Sequence, residues 1–166
     1  MRGIASLALA FTLVVGVAPA YALNFDFSFT NNSGNVSGTI TGEVFGLVDN
    51  VTSQATNVVI DSYPAGLTLP AAPWDIFSAP GTTVDFNSFF VLGDDVASGQ
   101  LILENGVIHL ELNGDTVNSL RDSAGNFVTQ SPSRNQIVFT PAPVPEPVSI
   151  SLLISGLLGI GLARRR

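Results

Sequence analysis

The one side chain of this sequence that ordinarily titrates near neutral pH is its single histidine, His109. A general base needs such a group, and many serine hydrolases place the nucleophile of their Ser-His-Asp triad on a sharp G-x-S-x-G turn. No G-x-S-x-G occurs in the chain. The absence of cysteine also excludes thiol catalysis and zinc–thiolate sites. We therefore expect no catalytic residue and a protein that is not an enzyme.

The longest irregular stretch expected from the sequence, Pro64–Gly81, holds the only tryptophan beside a carboxylate, Trp74-Asp75. A tryptophan ring can stack on a sugar, so this stretch is the candidate ligand loop of a polysaccharide-binding module. The other interpretation of Trp74 is a plug that closes the core beneath the loop. Paired carboxylates can also cleave a glycosidic bond. A secreted hydrolase that uses Asp75, Asp94 and His109 is therefore the remote alternative.

Oxygen ligands for a cation occur at two places, Asp94-Asp95 and Asp49-Asn50. Calcium binds carboxylate and amide oxygens of this kind. The D-x-D-x-D-G spacing of an EF-hand loop is absent from the chain. We therefore expect no cofactor and no metal site, with calcium as the alternative that would assist polysaccharide binding.

Residues that alternate between apolar and polar occupy most of the chain between its two ends, which predicts β-strands. The segment NFDFSFT places Phe25, Phe27 and Phe29 on one face. In the next strand, VSGTITGEV, Gly38 and Gly42 leave room for those rings. ATNVVIDSY, TTVDFNSFFVL and QIVFT are further strands, and no helical period occurs in this part of the sequence. About seven short strands with turn-rich connections predict an all-β fold, an antiparallel β-sandwich.

The segment QLILENGVIHLEL predicts a hairpin, because Asn-Gly between two β-rich runs favours a two-residue type I′ turn. With Asn105-Gly106 at the tip, Leu103 pairs with Ile108. This register leaves His109 on an exposed face rather than in a pocket. The core face then carries Leu101, Leu103, Ile108 and Leu110, and the other face carries Glu104, His109 and Glu111.

The charge of the chain is unevenly distributed. Between Leu23 and Ala142 there are twelve acidic residues, two arginines and no lysine, whereas the whole sequence has a net charge of −7. Such a body repels nucleic-acid phosphates and anionic lipid surfaces, so we expect no nucleic acid among its partners. Without cysteine, the body must be stable through its core alone, with no disulfide bonds.

The amino terminus has the three parts of an export signal. Arg2 supplies a positive charge, and Gly3–Val17 is apolar. Ala20 and Ala22 are the small residues that signal peptidase requires before its cleavage site. Cleavage after Ala22 gives a mature chain that starts at Leu23. The alternative is a retained membrane anchor, for which the apolar run is short.

The carboxyl terminus has the composition of a short membrane anchor. Val148–Ala163 carries no charge, and as a helix it would be about 24 Å long, against a hydrocarbon core of about 30 Å. Arg164, Arg165 and Arg166 follow it, and positive charge of this kind stays on the cytoplasmic side. We expect a transmembrane helix with the body outside the inner membrane. A buried strand or helix of the body is the alternative.

Prolines alternate through TPAPVPEPV just before this apolar run, which favours an extended segment. The order of Val144-Pro145-Glu146-Pro147, apolar run and terminal arginine cluster resembles the PEP-CTERM sorting signal of Gram-negative bacteria. In the body, FDFSFTNNSGN and ATNVVIDSYP resemble a body type that recurs among such proteins and has no established activity. The same tail is also named after ice-binding proteins that carry it. This body, however, has a single T-x-T and no repeated threonine array.

The resemblance implies a processing route through two enzymes. Signal peptidase removes the leader, and an exosortase, a membrane protease-transpeptidase, cuts at or near the motif. The precursor is anchored in the inner membrane and faces the periplasm, and the product reaches the cell surface or the extracellular matrix. Proteins with this tail usually come from organisms that make extracellular polysaccharide, which is therefore a candidate partner.

The expected organisation follows from these segments. A signal peptide occupies 1–22, a β-sandwich 23–140, a proline-rich stalk 141–147, a transmembrane helix 148–163 and a cytoplasmic arginine cluster 164–166. The expected function is that of a non-enzymatic, tail-sorted surface or matrix protein, with a polysaccharide-binding module as the alternative.

Overall fold

The computed structural model describes residues 22–93, 95–113, 116–131 and 137–143. Within these ranges the chain forms eleven β-strands and no helix. In chain order the strands are β1 (Ala22–Thr30), β2 (Thr39–Val48), β3 (Thr52–Ser53), β4 (Asn57–Ser62), β5 (Trp74–Asp75), β6 (Thr82–Leu92), β7 (Asp95–Asn105), β8 (Ile108–Asn113), β9 (Asn118–Arg121), β10 (Phe127–Gln130) and β11 (Val138–Pro141). In this part of the chain there is no helix of the length and apolarity that crossing a membrane requires.

The strands form two antiparallel sheets that pack face to face. One sheet has the order β11-β1-β2-β4-β5 and the other has the order β10-β9-β8-β7-β6-β3. The prediction of an all-β fold with two antiparallel sheets is confirmed, but the strand count of about seven is wrong. The stretch 64–81, expected to be irregular, contains the two-residue β5. β10 lies outside the strands that the alternation predicts.

The inner faces carry the apolar half of each alternating strand. Phe25, Phe27 and Phe29 are at most 2% exposed, as their alternation predicts. Burying each of these rings contributes roughly 1.5–3 kcal/mol. Phe89 of β6 meets Phe139 of β11 edge to face, with ring centroids 6.3 Å apart, so this pair joins the two sheets.

Gly42 of β2 gives the ring of Phe27 its space. The two residues lie directly opposite each other on neighbouring strands. A Cβ atom at Gly42 would lie 2.6 Å from Cζ of Phe27 and would also collide with the backbone carbonyl oxygen of Val59. The predicted fit between small and large residues is therefore confirmed here. At Gly38 it is wrong, because that glycine packs against Pro64.

The β7–β8 hairpin has the predicted faces but a different register. Leu103 pairs with Leu110 rather than with Ile108, because the two turn residues are Gly106 and Val107. Gly106 has a φ of 63°, and Val107 is not among the residues of positive φ. This combination is typical of a type II′ turn, which needs positive φ at its first central residue only. The shift is two residues along β8, so the alternation is preserved and both faces are sorted as predicted.

The segment between β1 and β2 covers the outer edge of β10 in the other sheet. Backbone N–H groups of Asn32 and Val36 donate to the carbonyl oxygens of Thr129 and Phe127. Three backbone N–H groups of this edge in turn donate to side-chain amide oxygens. Phe127 donates to Asn35 at 2.7 Å, Thr129 to Asn31 at 3.0 Å and Ser131 to Asn32 at 2.9 Å. We call Asn31, Asn32 and Asn35 the asparagine clasp. The clasp occupies the backbone groups that an exposed edge strand would offer to another chain.

The contact between Gly42 and Phe27 predicts a large effect of one added methyl group. Gly42→Ala should lower the free energy of unfolding by about 1–3 kcal/mol, because an overpacked core must shift its backbone. Urea unfolding of the full chain, followed by the fluorescence of its only tryptophan, measures this change. Gly66→Ala is the control, since the three atoms nearest to its Cβ all belong to the side chain of Val36 and none to the backbone. Equal losses in the two variants would contradict the packing argument.

Candidate functional surface

One cross-strand line on the outer face of the six-stranded sheet brings charged and aromatic side chains together. Glu104 of β7 lies opposite His109 of β8. Arg121 of β9 lies opposite His109 on its other side, and Phe127 of β10 lies opposite Arg121. Side chains that are directly opposite have Cβ atoms about 4.5–5.5 Å apart. We call these four residues the histidine row.

The core determines where the histidine row lies. Each of its members is the chain neighbour of a residue that is 0% exposed, and those residues are Leu103, Leu110, Leu120 and Val128. Successive side chains of a strand point to opposite faces of the sheet. Because the leucines and the valine must face inward, the row must face outward.

The imidazole ring of His109 lies between two carboxylates. Its Nδ1 is 2.5 Å from Oε1 of Glu104, and its Nε2 is 3.7 Å from Oε2 of Glu111. An ionised carboxylate can only accept, so Nδ1 donates to Glu104, and Nε2 can donate towards Glu111 only when the ring is protonated. A Ser-His-Asp arrangement would instead direct Nε2 towards a hydroxyl nucleophile.

All four residues of the row line an open groove of about 380 Å³. Its lining residues are Glu104, His109, Ser119, Arg121, Phe127 and Thr129. Arg121 is exposed, and no carboxylate of the described residues lies within 4.0 Å of its guanidinium group. The groove therefore offers a charged donor, two acceptors, two hydroxyl groups and one aromatic ring.

In the candidate ligand loop, the side chains of Trp74 and Asp75 both contact other residues of the protein. Trp74 lies opposite Ile60 and packs against the core, as the plug interpretation predicts. The carboxylate of Asp75 accepts hydrogen bonds from the backbone N–H of Ser78 at 2.8 Å and from the side-chain amide of Asn57 at 3.2 Å. Neither predicted residue lines the groove of the histidine row.

A carboxylate that the sequence analysis did not single out, Asp122, joins that loop to the β9–β10 turn. It is 1% exposed. Its oxygens accept hydrogen bonds from the backbone N–H groups of Thr68, Ala124 and Asn126, each at 2.8 Å, and from the side chain of Asn126 at 3.0 Å. These bonds, that of Thr68 foremost, lower the pKa of Asp122 to about 2. An aspartate before turn residues predicts the local bonds, whereas nothing in the sequence predicts the bond to Thr68.

The two candidate calcium segments lie side by side. Oδ1 of Asp49 accepts a hydrogen bond from the backbone N–H of Gly93 at 2.7 Å, and Oδ2 accepts one from the side chain of Asn50 at 2.7 Å. Asp95 begins β7, and Asp94 lies outside the described residues. Among the residues that the structure describes, no three His, Cys, Asp or Glu side chains form a group that could hold a metal ion.

The outer face of the five-stranded sheet is acidic. Asp26 lies directly opposite Glu43. Burial raises the pKa of Glu43, and the carboxylates of Asp26 and Asp61 raise it further, against a hydrogen bond from Asn24. Burial and then the charge of Asp26 likewise raise the pKa of Asp61. This face would repel an anionic partner.

The predicted processing residues fall largely beyond the described ranges. Ala22 is exposed and pairs with Val48 at the start of β1. At the other end, the backbone N–H of Ala142 donates to the carbonyl oxygen of Asn24 at 2.9 Å. Outside the described residues lie Ala20, Val144, Pro145, Glu146, Pro147, the apolar run, and Arg164, Arg165 and Arg166.

Comparison with known proteins gives no match. No protein-family model matches the chain, and neither a curated protein nor a solved structure matches it. Function is therefore inferred from the residues and their geometry.

The lowered pKa of Asp122 predicts a pH-dependent contribution to stability. The carboxylate has its ordinary pKa of 3.8 in the unfolded chain and about 2 in the folded one. Its stabilising effect is therefore present above pH 3.8 and is lost as the pH falls through about 2. Asp122→Asn should lower the free energy of unfolding at pH 7, and this loss should shrink between pH 4 and pH 2.

Urea unfolding of the full chain at a series of pH values tests this prediction. Asp95→Asn is the control, since Asp95 is an exposed carboxylate of β7. A loss in Asp122→Asn that does not change with pH, or one that Asp95→Asn reproduces, would contradict the assignment.

Proposed function

We propose that this chain is an exported, tail-sorted protein of the cell surface or extracellular matrix, and that its sandwich has a structural, non-enzymatic role. The observation that supports this proposal is the order of the sequence segments. An export signal precedes the body, and Pro145-Glu146-Pro147, an apolar run and three arginines follow it. Each segment alone would be weak support, but their order matches the successive steps of export, anchoring and cleavage.

The fold supports the proposal through the position of its two ends. β1 and β11 are antiparallel neighbours, and Phe25 pairs with Pro141. The start of β1 and the end of β11 therefore lie at the same end of one sheet. This arrangement suits a precursor with an apolar segment at each terminus, because both segments can then reach the same bilayer while the body stays outside it.

The stalk supports cleavage beside the membrane. β11 ends at Pro141, and among the described residues, which end at 143, Ala142 is the last that hydrogen bonds to β1. Prolines then alternate as far as Pro147, which favours an extended backbone without secondary structure. A protease cleft can accept such a segment without unfolding the sandwich.

Two other functions receive different support. Polysaccharide binding through the Pro64–Gly81 loop, assisted by calcium, loses support because Trp74 and Asp75 are engaged within the protein. The outer face of the six-stranded sheet is the better surface for that function. A secreted hydrolase would need His109 as its base, yet both nitrogens of His109 face carboxylates.

The intact mass of the mature protein from its native host tests the sorting signal. We expect the wild-type chain to have lost the leader and the segment that follows its cleavage site near Pro145-Glu146-Pro147. Replacement of these three residues by alanine should leave the tail attached, because the recognition charge of Glu146 and the extended backbone are both lost.

Pro143→Ala is the matched control, since it changes a proline of the same stalk and leaves the motif intact. Its product should have lost the tail, as in the wild type. If the wild-type chain retains Arg164–Arg166, the tail is only an anchor and the proposal fails.

A further inference from the structure

We propose that the groove of the histidine row is a binding site for a neutral glycan. Its occupant would be a sugar ring with adjacent free hydroxyl groups. The lining residues combine donors, acceptors and an aromatic ring on a rigid sheet face, as small-molecule sites generally do. This inference goes beyond the proposed sorting function and does not depend on the tail.

The pattern of donors and acceptors selects a hydroxylated ligand. Oε1 of Glu104 already accepts from Nδ1 of His109, which leaves Oε2 of Glu104 as an acceptor at the groove. This acceptor needs a ligand that donates. The guanidinium group of Arg121 can only donate, so it needs a ligand that accepts. A hydroxyl group does both, and vicinal hydroxyls of a sugar can serve Glu104 and Arg121 together.

Anions satisfy only half of this pattern. A carboxylate or a phosphodiester would accept from Arg121, but it has no proton to donate to the free oxygen of Glu104. The carboxylates of Glu104 and Glu111 would also repel it at short range. The site therefore differs from the arginine clusters that bind anions, in which the charges have one sign.

Phe127, Ser119 and Thr129 favour a sugar ring over water as the occupant of the groove. Phe127 is partly buried at the end of the row, so its ring offers apolar surface to the C–H face of a pyranose. Ser119 and Thr129 add hydroxyl groups that donate or accept. The asparagine clasp accepts hydrogen bonds from the backbone N–H groups of Phe127 and Thr129 at the outer edge of β10. The site is therefore held in place before a ligand binds.

The single histidine allows a test that locates the site. Because the full chain contains one histidine, its imidazole C–H resonances in a proton–carbon NMR spectrum belong to His109 alone. The full chain, without a histidine tag and in a detergent that carries no sugar headgroup, is titrated with neutral oligomers of glucose, galactose and mannose. Each is taken to about 10 mM, which would saturate even a site with a Kd of about 1 mM. We expect at least one of them to shift these resonances in a saturable way.

Three variants distinguish binding in the groove from binding elsewhere on the protein. Arg121→Gln should weaken binding about ten-fold or more, because a charge-assisted hydrogen bond to the ligand is lost. Phe127→Leu keeps the apolar volume, removes the flat ring and should also weaken binding. Gln100→Ala is the control, since Gln100 lies on the same outer face but does not line the groove. Backbone amide spectra confirm that each variant is folded.

Several results would overturn the proposal. One is that none of the neutral oligomers shifts the His109 resonances. Another is binding that leaves these resonances unchanged or is equally strong in Arg121→Gln, because the site would then lie elsewhere. Tighter binding of a galacturonate oligomer than of every neutral oligomer would show an anion site instead.

Discussion

The outer edge of β10 is hydrogen bonded to side chains and backbone of the segment between β1 and β2 instead of another strand. The three residues of the asparagine clasp accept from it, although they lie 92–99 residues away along the chain. Without cysteine, the two sheets are held together by core packing and by hydrogen bonds such as these. Phe127 and Thr129 lie on β10, so the surface of the histidine row depends on the clasp as much as on the core.

Core and surface are linked through the pleat of the strands. The buried residues Leu103, Leu110, Leu120 and Val128 determine which chain neighbours face outward. The outward neighbours form an ordered line of charged and aromatic groups. Packing that stabilises the sandwich therefore also orders the candidate surface. The paired ends of β1 and β11 belong to the other sheet. The proposed sorting and the proposed ligand binding would then use separate parts of one small protein.

The sequence predicts those features that depend on alternation and size. A period of two predicts three features: the burial of the β1 phenylalanines, the fit of Gly42 to Phe27, and the two faces of the β7–β8 hairpin. It does not predict the hairpin register, because a glycine within Asn-Gly can serve type I′ or type II′ turns. Arg121 and Phe127 were missed because β9 and β10 have four residues each. The clasp was missed because bonds between side chains and a distant backbone leave no periodic signal.

Amide hydrogen exchange of the full wild-type chain tests the central claim, that the clasp closes the edge of β10 and thereby fixes the surface. The N–H groups of Phe127, Thr129 and Ser131 point away from β9 and would be open to water on an exposed edge. We predict that they exchange far more slowly than the amide of Val107 at the hairpin tip. Exchange at these three positions as fast as at Val107 would contradict the account, because β10 would then have an open edge.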